Sequence, residues 1–153
     1  MTIDRITDIT LDEKALLRSE HFREKRERAV TDLLKHNKFK FGEVPGPYQL
    51  EPQISQNMVV FSILGSDNSR HSSKFSLTAL RNILKDYAII CDNYFEAVKF
   101  ADPSKVEAID MGRRAMHNEG AELLVKLIGN KIEMDFETAR KLFTLVYVLQ
   151  LKK

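Results

Sequence analysis

The chain has 153 residues, of which 43% are hydrophobic and 30% are charged, and its formal net charge is +2. This composition is typical of one globular domain and excludes a largely disordered chain. The near-balanced charge lacks the strong positive field on which non-specific nucleic-acid binding depends. The most apolar stretch, residues 142–151, is about half as long as a membrane-spanning helix. We therefore expect a single domain over residues 1–153 that binds neither nucleic acid nor a membrane.

Cysteine usage and the N-terminus indicate the compartment. Cys91 is the only cysteine, so no internal disulfide can form, which is typical of proteins from a reducing compartment. The first residues, MTIDRITDITLDEK, lack the basic start and the apolar run of a secretory signal peptide. These features predict a cytoplasmic protein.

The first half of the chain predicts a strand, a helix and a small antiparallel meander. Residues 3–11 are rich in isoleucine and threonine, and Ser19 is placed to cap a helix that runs to about Asn37. A loop with two prolines and two glycines then precedes three strand-like segments. Pro52 indicates that the first of these is an edge strand or contains a break, whereas NMVVFSIL is apolar on both faces and predicts a central strand.

The second half of the chain predicts three helices. Residues 78–101 carry an apolar stripe that includes Leu80, Leu84, Cys91, Phe95 and Val98. An Asp-Pro pair ends this helix, and the capping box SKVE begins the next, so we expect two antiparallel helices joined by a tight turn.

A last helix is predicted to begin after an aspartate N-cap, Asp135, and to be the most buried of the three. Its segment TLVYVL, taken alone, also fits a strand. The expected fold class is α+β: a short N-terminal strand and helix, a small antiparallel meander, then three C-terminal helices packed on one sheet face.

The segment IDMGRRAMHNEGAELL places polar side chains on the apolar face of the middle helix. At about 100° per residue, Asp110, Arg113, His117 and Gly120 lie within or beside the apolar stripe. Glycine costs a helix about 1 kcal/mol relative to alanine, so we expect another element to approach Gly120 closely. Arg113 keeps its charge when buried and needs a partner; Asp110 precedes it by one turn, and His117 follows it by one turn and can extend the hydrogen bonds.

Two interpretations of these residues remain open. In the first, Asp110, Arg113 and His117 form a polar seam that fixes how the helix docks. In the second, the same three residues line a pocket and bind a small anionic ligand, with Arg113 supplying charge and His117 transferring a proton. Asp110, Arg113 and His117 are therefore the candidate ligand-binding residues.

Other chemically active side chains are expected to be structural. Cys91 falls in the middle of an apolar stripe, and Tyr87 and Tyr94 lie on the same side, as core residues do. The four histidines are scattered over different predicted elements, and no phosphate loop, zinc motif or nucleophile elbow is present in the sequence. We predict no catalytic residue, no metal and no cofactor.

Three segments, KDYAIICDNYFEAVK, SKVEAIDMGRRAMHNEGAELL and DFETARKLFTLV, resemble a family of small bacterial proteins known as uncharacterised protein family 0262. The resemblance extends from about the segment RERAVTDLL to near the C-terminus. It implies a cytoplasmic bacterial protein whose longest family-like segments are the paired helices, and it supplies no catalytic residue.

These observations predict a non-enzymatic, cytoplasmic interaction or regulatory module that binds another protein or a small ligand. The alternative is an enzyme or binding protein for a small anionic ligand that uses Arg113 and His117. Self-association is a third hypothesis, because the last helix is apolar enough to leave exposed surface.

Overall fold

A four-stranded sheet with helices on one face forms the body of the computed structural model, which describes residues 3–151. The α+β class is confirmed. In chain order the elements are β1 Ile6–Ile9, α1 Glu13–Arg18, α2 Arg23–Lys35, β2 Phe39–Phe41, β3 Tyr48–Ser55, β4 Met58–Leu64, β5 Arg70–Ser76, α3 Thr78–Phe100, α4 Pro103–Ile128, β6 Ile132–Met134 and α5 Phe136–Gln150. Within residues 3–151, no helix is both long enough and apolar enough to cross a membrane.

The sheet has the strand order β1-β3-β4-β5. β3, β4 and β5 pair antiparallel and form the expected meander, while β1 pairs parallel to β3. β4 is central, as predicted, and it buries Val59, Phe61 and Ile63 on the face that the helices cover. The opposite face is more polar, so the sheet contributes to one core only.

Pro52 lies in β3, which has a neighbouring strand on both sides for only part of its length. β1 pairs with Tyr48, Gln49 and Leu50, and its pairing ends before Pro52 is reached. Pro52 itself is paired with Phe61 of β4. β3 is thus not an edge strand overall; the proline is tolerated because β3 has one partner at that point.

Both predicted N-caps of the earlier helices were wrong by a few residues. Ser19 does not cap the helix that reaches residue 35: α2 begins at Arg23, and its N-cap position, Phe22, makes no side-chain capping hydrogen bond. Ser19 instead ends α1, a separate short helix that Asp12 caps by accepting a hydrogen bond from the Ala15 amide at 2.8 Å. Asp102 caps α4 by accepting from the Lys105 amide at 3.0 Å, ahead of the expected capping box. An aspartate followed by Pro103 is the stronger signal, because proline suits the first helical turn.

α5 is the most buried helix, as predicted, with nine of its fifteen residues buried. It is helical throughout, including TLVYVL, because it is surrounded on several sides by packed elements instead of pairing with a strand. β2 and β6, three residues each, form a separate antiparallel ribbon that the sequence pattern did not predict. This ribbon joins the end of α2 to the start of α5.

Exposed apolar surface lies mainly on α3 and α4 and not on α5, so the reason given for self-association was wrong. On α5 itself the exposed large apolar side chain among the described residues is Phe136, at the start of the helix. Phe95 and Val98 are each 55% exposed, Phe100 is 82% exposed and Met111 is 65% exposed.

α3 and α4 form an antiparallel hairpin whose far end extends beyond the core. The side chains of Leu80 and Leu84 at the start of α3 are buried, whereas those of Phe95 and Val98 on the same stripe are not. Across residues 92–112, all of which are described, Ala97 is the single buried residue. We call residues 92–112 the outer hairpin.

Candidate functional site

The three predicted site residues lie on two turns of α4 and face two different neighbours. Asp110 and Arg113 lie where α4 packs against α3, and His117 lies one turn further along, where α4 packs against α5. Arg113 and His117 share no hydrogen bond in the described part of the chain. The structure therefore brings together Asp110 and Arg113, while His117 binds other residues.

The Arg113 guanidinium is held by one carboxylate and one aromatic ring. Its Nε and Nη2 both donate to Oδ1 of Asp110, at 3.0 and 2.5 Å, and its Cζ lies 4.9 Å from the centre of the Tyr94 ring. Arg114 reaches the other carboxylate oxygen at 3.0 Å. Hydrogen bonding by Arg113 lowers the pKa of Asp110, so this carboxylate stays ionised and paired.

The hydrogen bonds of His117 determine which ring nitrogen carries the proton. Nε2 lies 2.9 Å from the carbonyl oxygen of Arg140, and Nδ1 lies 3.3 Å from Nη2 of the same arginine. A carbonyl only accepts and a guanidinium only donates, so Nε2 is protonated and Nδ1 is not. Thr144 Oγ1, 3.0 Å from Nε2, also lies at the Arg140 carbonyl. His117 is thus a neutral, fully engaged imidazole.

The surroundings of His117 favour this neutral form. Tyr87 and Phe143 place their rings 5.4 and 5.6 Å from the imidazole, centre to centre. Burial lowers the pKa of His117, and the charges of Arg140 and Arg113 lower it further, against the opposing effects of the Arg140 carbonyl and Glu137. Protonation of Nδ1 would place a second N–H donor against the Arg140 guanidinium, which can only donate.

One edge of His117 reaches a shallow surface cleft of about 330 Å³ between α2 and α5. Arg113 does not line this cleft. Acidic and basic groups are mixed along its walls, with Asp32, Lys35 and His36 on one side and Glu137, Arg140 and Lys141 on the other. Two carboxylates thus face three basic side chains, an excess of one positive charge, and Glu137 already pairs with Arg140 at 3.2 Å.

Gly120 confirms the expected close approach of another element. A Cβ atom added at this position would lie 2.4 Å from ring atoms of Phe143 in α5, and Phe143 is fully buried. Real Cβ atoms do not approach carbon this closely, so glycine is required where α4 and α5 cross. This contact fixes the distance between α4 and α5 at which His117 forms hydrogen bonds with Arg140 and Thr144.

The remaining reactive side chains near α4 are held in their neutral forms. Burial is the main cause that raises the pKa of Tyr87 to about 12, and burial also raises the pKa of Cys91 and Tyr147. Cys91 is partly buried, as expected of a thiol beside the core. Within residues 3–151, no three His, Cys, Asp or Glu side chains are placed to hold a metal ion.

Sequence reasoning missed the two residues of α5 that bind His117. Arg140 and Thr144 are 23 and 27 residues away in the chain, so no local pattern links them to His117. The available signal was weaker: Thr144 is a polar residue in an otherwise apolar helix, and Arg140 precedes it by one turn.

Comparison with known proteins gives one consistent result. The model of the Uncharacterised protein family UPF0262 matches residues 3–152. Two UPF0262 proteins of Rhizobium etli strains are 43% and 44% identical over 147 and 149 residues, which cover 95% of this chain and 94% of each relative. A UPF0262 protein of Brucella anthropi is 42% identical over 150 residues, covering 95% of this chain and 92% of the relative. No solved structure matches the chain.

The match therefore spans nearly the whole chain, including β1, the meander, the α3–α4 hairpin and α5. It agrees with the resemblance noted in the three helical segments. This chain belongs to the bacterial uncharacterised protein family UPF0262.

Proposed function

We propose that this protein is a non-enzymatic interaction module that binds another protein through α3. The observation that carries this proposal is the course of the α3 stripe. Leu80, Leu84, Cys91, Phe95 and Val98 lie within about 60° of one another around the helix. The first two are buried, while Phe95 and Val98 are each 55% exposed.

An apolar stripe that continues past the core is typical of a binding surface. Scattered exposed apolar residues are common, but here Phe95 and Val98 extend one helical face, and Phe100 and Met111 lie elsewhere on the same outer hairpin. A partner helix or strand that covered Phe95 and Val98 would complete the packing that the core begins at Leu84.

The state of His117 supports a non-enzymatic role. Both of its ring nitrogens are engaged by Arg140, and its contacts keep it neutral at physiological pH. Ligand binding by Asp110, Arg113 and His117 remains a prediction; the geometry favours the polar seam, because Asp110 and Tyr94 already occupy the Arg113 guanidinium. We further propose one domain and a cytoplasmic location, which the continuous core and the free thiol of Cys91 support.

A photo-crosslinking amino acid tests the proposal directly. Benzoylphenylalanine at position 95 resembles the native aromatic side chain and should form a covalent adduct of defined mass with a different protein in the bacterium that makes the chain. The same group at Lys126, an exposed position at the far end of α4, should form no such adduct.

A second change on the same stripe provides the control. V98D should abolish the adduct at position 95 without loss of helical circular dichroism, because a charged side chain is poorly accommodated in an apolar interface. An adduct yield at position 95 no higher than at position 126 would contradict the proposal. An adduct with a second copy of the chain would contradict the proposal that the partner is a different protein.

A further inference from the structure

A basic groove runs along the first half of α3. The groove, of about 580 Å³, has an apolar floor formed in part by Ile54, Leu84 and Ala88. Three cationic side chains stand around this floor, namely Arg18 at the end of α1 and Arg81 and Lys85 on α3. We call this site the basic groove.

Among residues 3–151, no acidic side chain neutralises the positive charge of the basic groove. None of the described residues that line the groove is acidic. Among residues 3–151, Arg18, Arg81 and Lys85 take part in no salt bridge; Arg81 donates only to the neutral amide oxygen of Asn57, at 2.5 Å. A carboxylate placed here would gain up to three cationic partners.

The basic groove is continuous with the exposed end of the α3 stripe. Leu84, Ala88 and Phe95 are spaced i, i+4 and i+11, which places them on one helical face. The Lys25 ammonium lies 5.7 Å from the centre of the Phe95 ring, so a fourth cation stands beside the far end of this face. The apolar floor therefore continues along α3 to Phe95, whereas the basic rim on α3 is confined to Arg81 and Lys85, because Asp92 and Glu96 follow on the same side of the helix.

We propose that the basic groove and Phe95 bind an acidic amphipathic helix of the partner protein. Large apolar side chains of that helix would cover Leu84, Ala88 and Phe95, and its carboxylates would pair with Arg18, Arg81 and Lys85. The inference rests on the proposed function and adds the chemistry of the partner.

Two other occupants fit the surface less well. A second copy of the chain, docked by two-fold symmetry on the same surface, would bring Arg81 and Lys85 towards their own equivalents, and like charges oppose such a contact. An anionic lipid surface is broad and flat, whereas the floor at Ala88 is recessed between α1, the β3–β4 turn and α3.

A synthetic probe tests the charge requirement. The probe is a fluorescein-labelled helical peptide of leucine and glutamate, with leucines at i, i+3 and i+4 spacing; its control has lysine in place of every glutamate. We expect the full-length protein to raise the fluorescence anisotropy of the glutamate peptide and not that of the lysine peptide. Added salt should weaken the binding, because the contacting charges are exposed.

Two variants with equal net charge locate the site. R81E/K85E reverses two charges at the basic groove and should weaken binding of the glutamate peptide by about tenfold or more. K126E/K131E makes the same charge change near the opposite end of α5 and should leave binding unchanged. A88F fills the floor with all cations intact and should also weaken binding, and circular dichroism will show that each variant is folded.

The proposal is overturned if the lysine peptide binds as tightly as the glutamate peptide, or if R81E/K85E binds the glutamate peptide as tightly as the native protein does. It is also overturned if the protein binds phosphatidylglycerol vesicles and does not bind the glutamate peptide. Failure here is distinguishable from failure of the proposed function. A persistent crosslink at position 95 without peptide binding retains the interaction module and rejects the acidic helix.

Discussion

At the residue scale, His117 shows how tertiary contacts give a titratable group a fixed state. Its Nε2–H donates to a carbonyl and its Nδ1 accepts from a guanidinium, so the ring makes both hydrogen bonds only when it is neutral. The groups that face it come from three helices: Tyr87 of α3, Arg113 of α4, and Glu137 and Arg140 of α5.

The stability of the protein should depend on pH through His117. Its pKa is lowered below 6.5 in the folded protein, so the unfolded chain binds more protons between the lowered value and 6.5. The free energy of unfolding should therefore be at its full value above 6.5 and should fall as the pH drops through the folded pKa. Urea unfolding across this range measures the effect.

H117Q provides the comparison, because glutamine offers a donor and an acceptor but does not titrate there. The difference in unfolding free energy between the native protein and H117Q should narrow as the pH falls. A difference that stays constant with pH would show that the imidazole is not held neutral.

Arg113 should contribute to stability through its stacking on Tyr94. R113M should lower the free energy of unfolding by about 1 kcal/mol, the usual value of a partly exposed cation–π contact, while Arg114 continues to pair with Asp110. The measurement is chemical denaturation with unchanged oligomeric state.

Arg114 is the matched control for this change, since its side chain is 67% exposed and that of Arg113 is 27% exposed. R114M should have a smaller effect than R113M. If the two variants were equally stable, Arg113 would not be part of a structural seam, and its role as a ligand-binding residue would gain support.

At the element scale, the crossing of α4 over α5 is fixed by the absence of a side chain. G120A should destabilise the protein by about 1–3 kcal/mol from overpacking against Phe143, offset in part by about 1 kcal/mol of helix propensity. Thermal and urea unfolding measure the net loss.

Gly112 gives the contrasting case on the same helix. A Cβ atom there would lie 3.1 Å from Cδ1 of Ile90, the end of a flexible and only partly buried side chain. G112A should therefore be neutral or stabilising by up to about 1 kcal/mol. Equal effects of G120A and G112A would contradict a special role for the contact with Phe143.

The elements themselves were predictable where their signal is local. The 3.6-residue period identified α3 and the aspartate cap identified the start of α5, and the spacing of three residues identified the Asp110–Arg113 pair. The exposure of Phe95 and Val98 was not predictable, because periodicity shows which side of a helix is apolar but not where the neighbouring elements end.

At the scale of the whole molecule, the tertiary features that the sequence did not predict depend on contacts between distant segments. The parallel pairing of β1 with β3, the β2–β6 ribbon and the hydrogen bonds from His117 to α5 join residues that no local pattern relates. The candidate site was therefore predicted as a list of residues but not as a geometry.

The outer hairpin has a consequence for how the molecule opens. Its turns bury a single residue, Ala97, whereas the start of α3 is anchored by Leu80, Leu84 and Tyr87. Segments with so few buried contacts unfold locally at a lower free energy than the body that holds them. Amide hydrogens between residues 92 and 112 should consequently exchange with solvent sooner than those of α5, and the hairpin tip is free to adjust its shape while the sheet beneath stays intact.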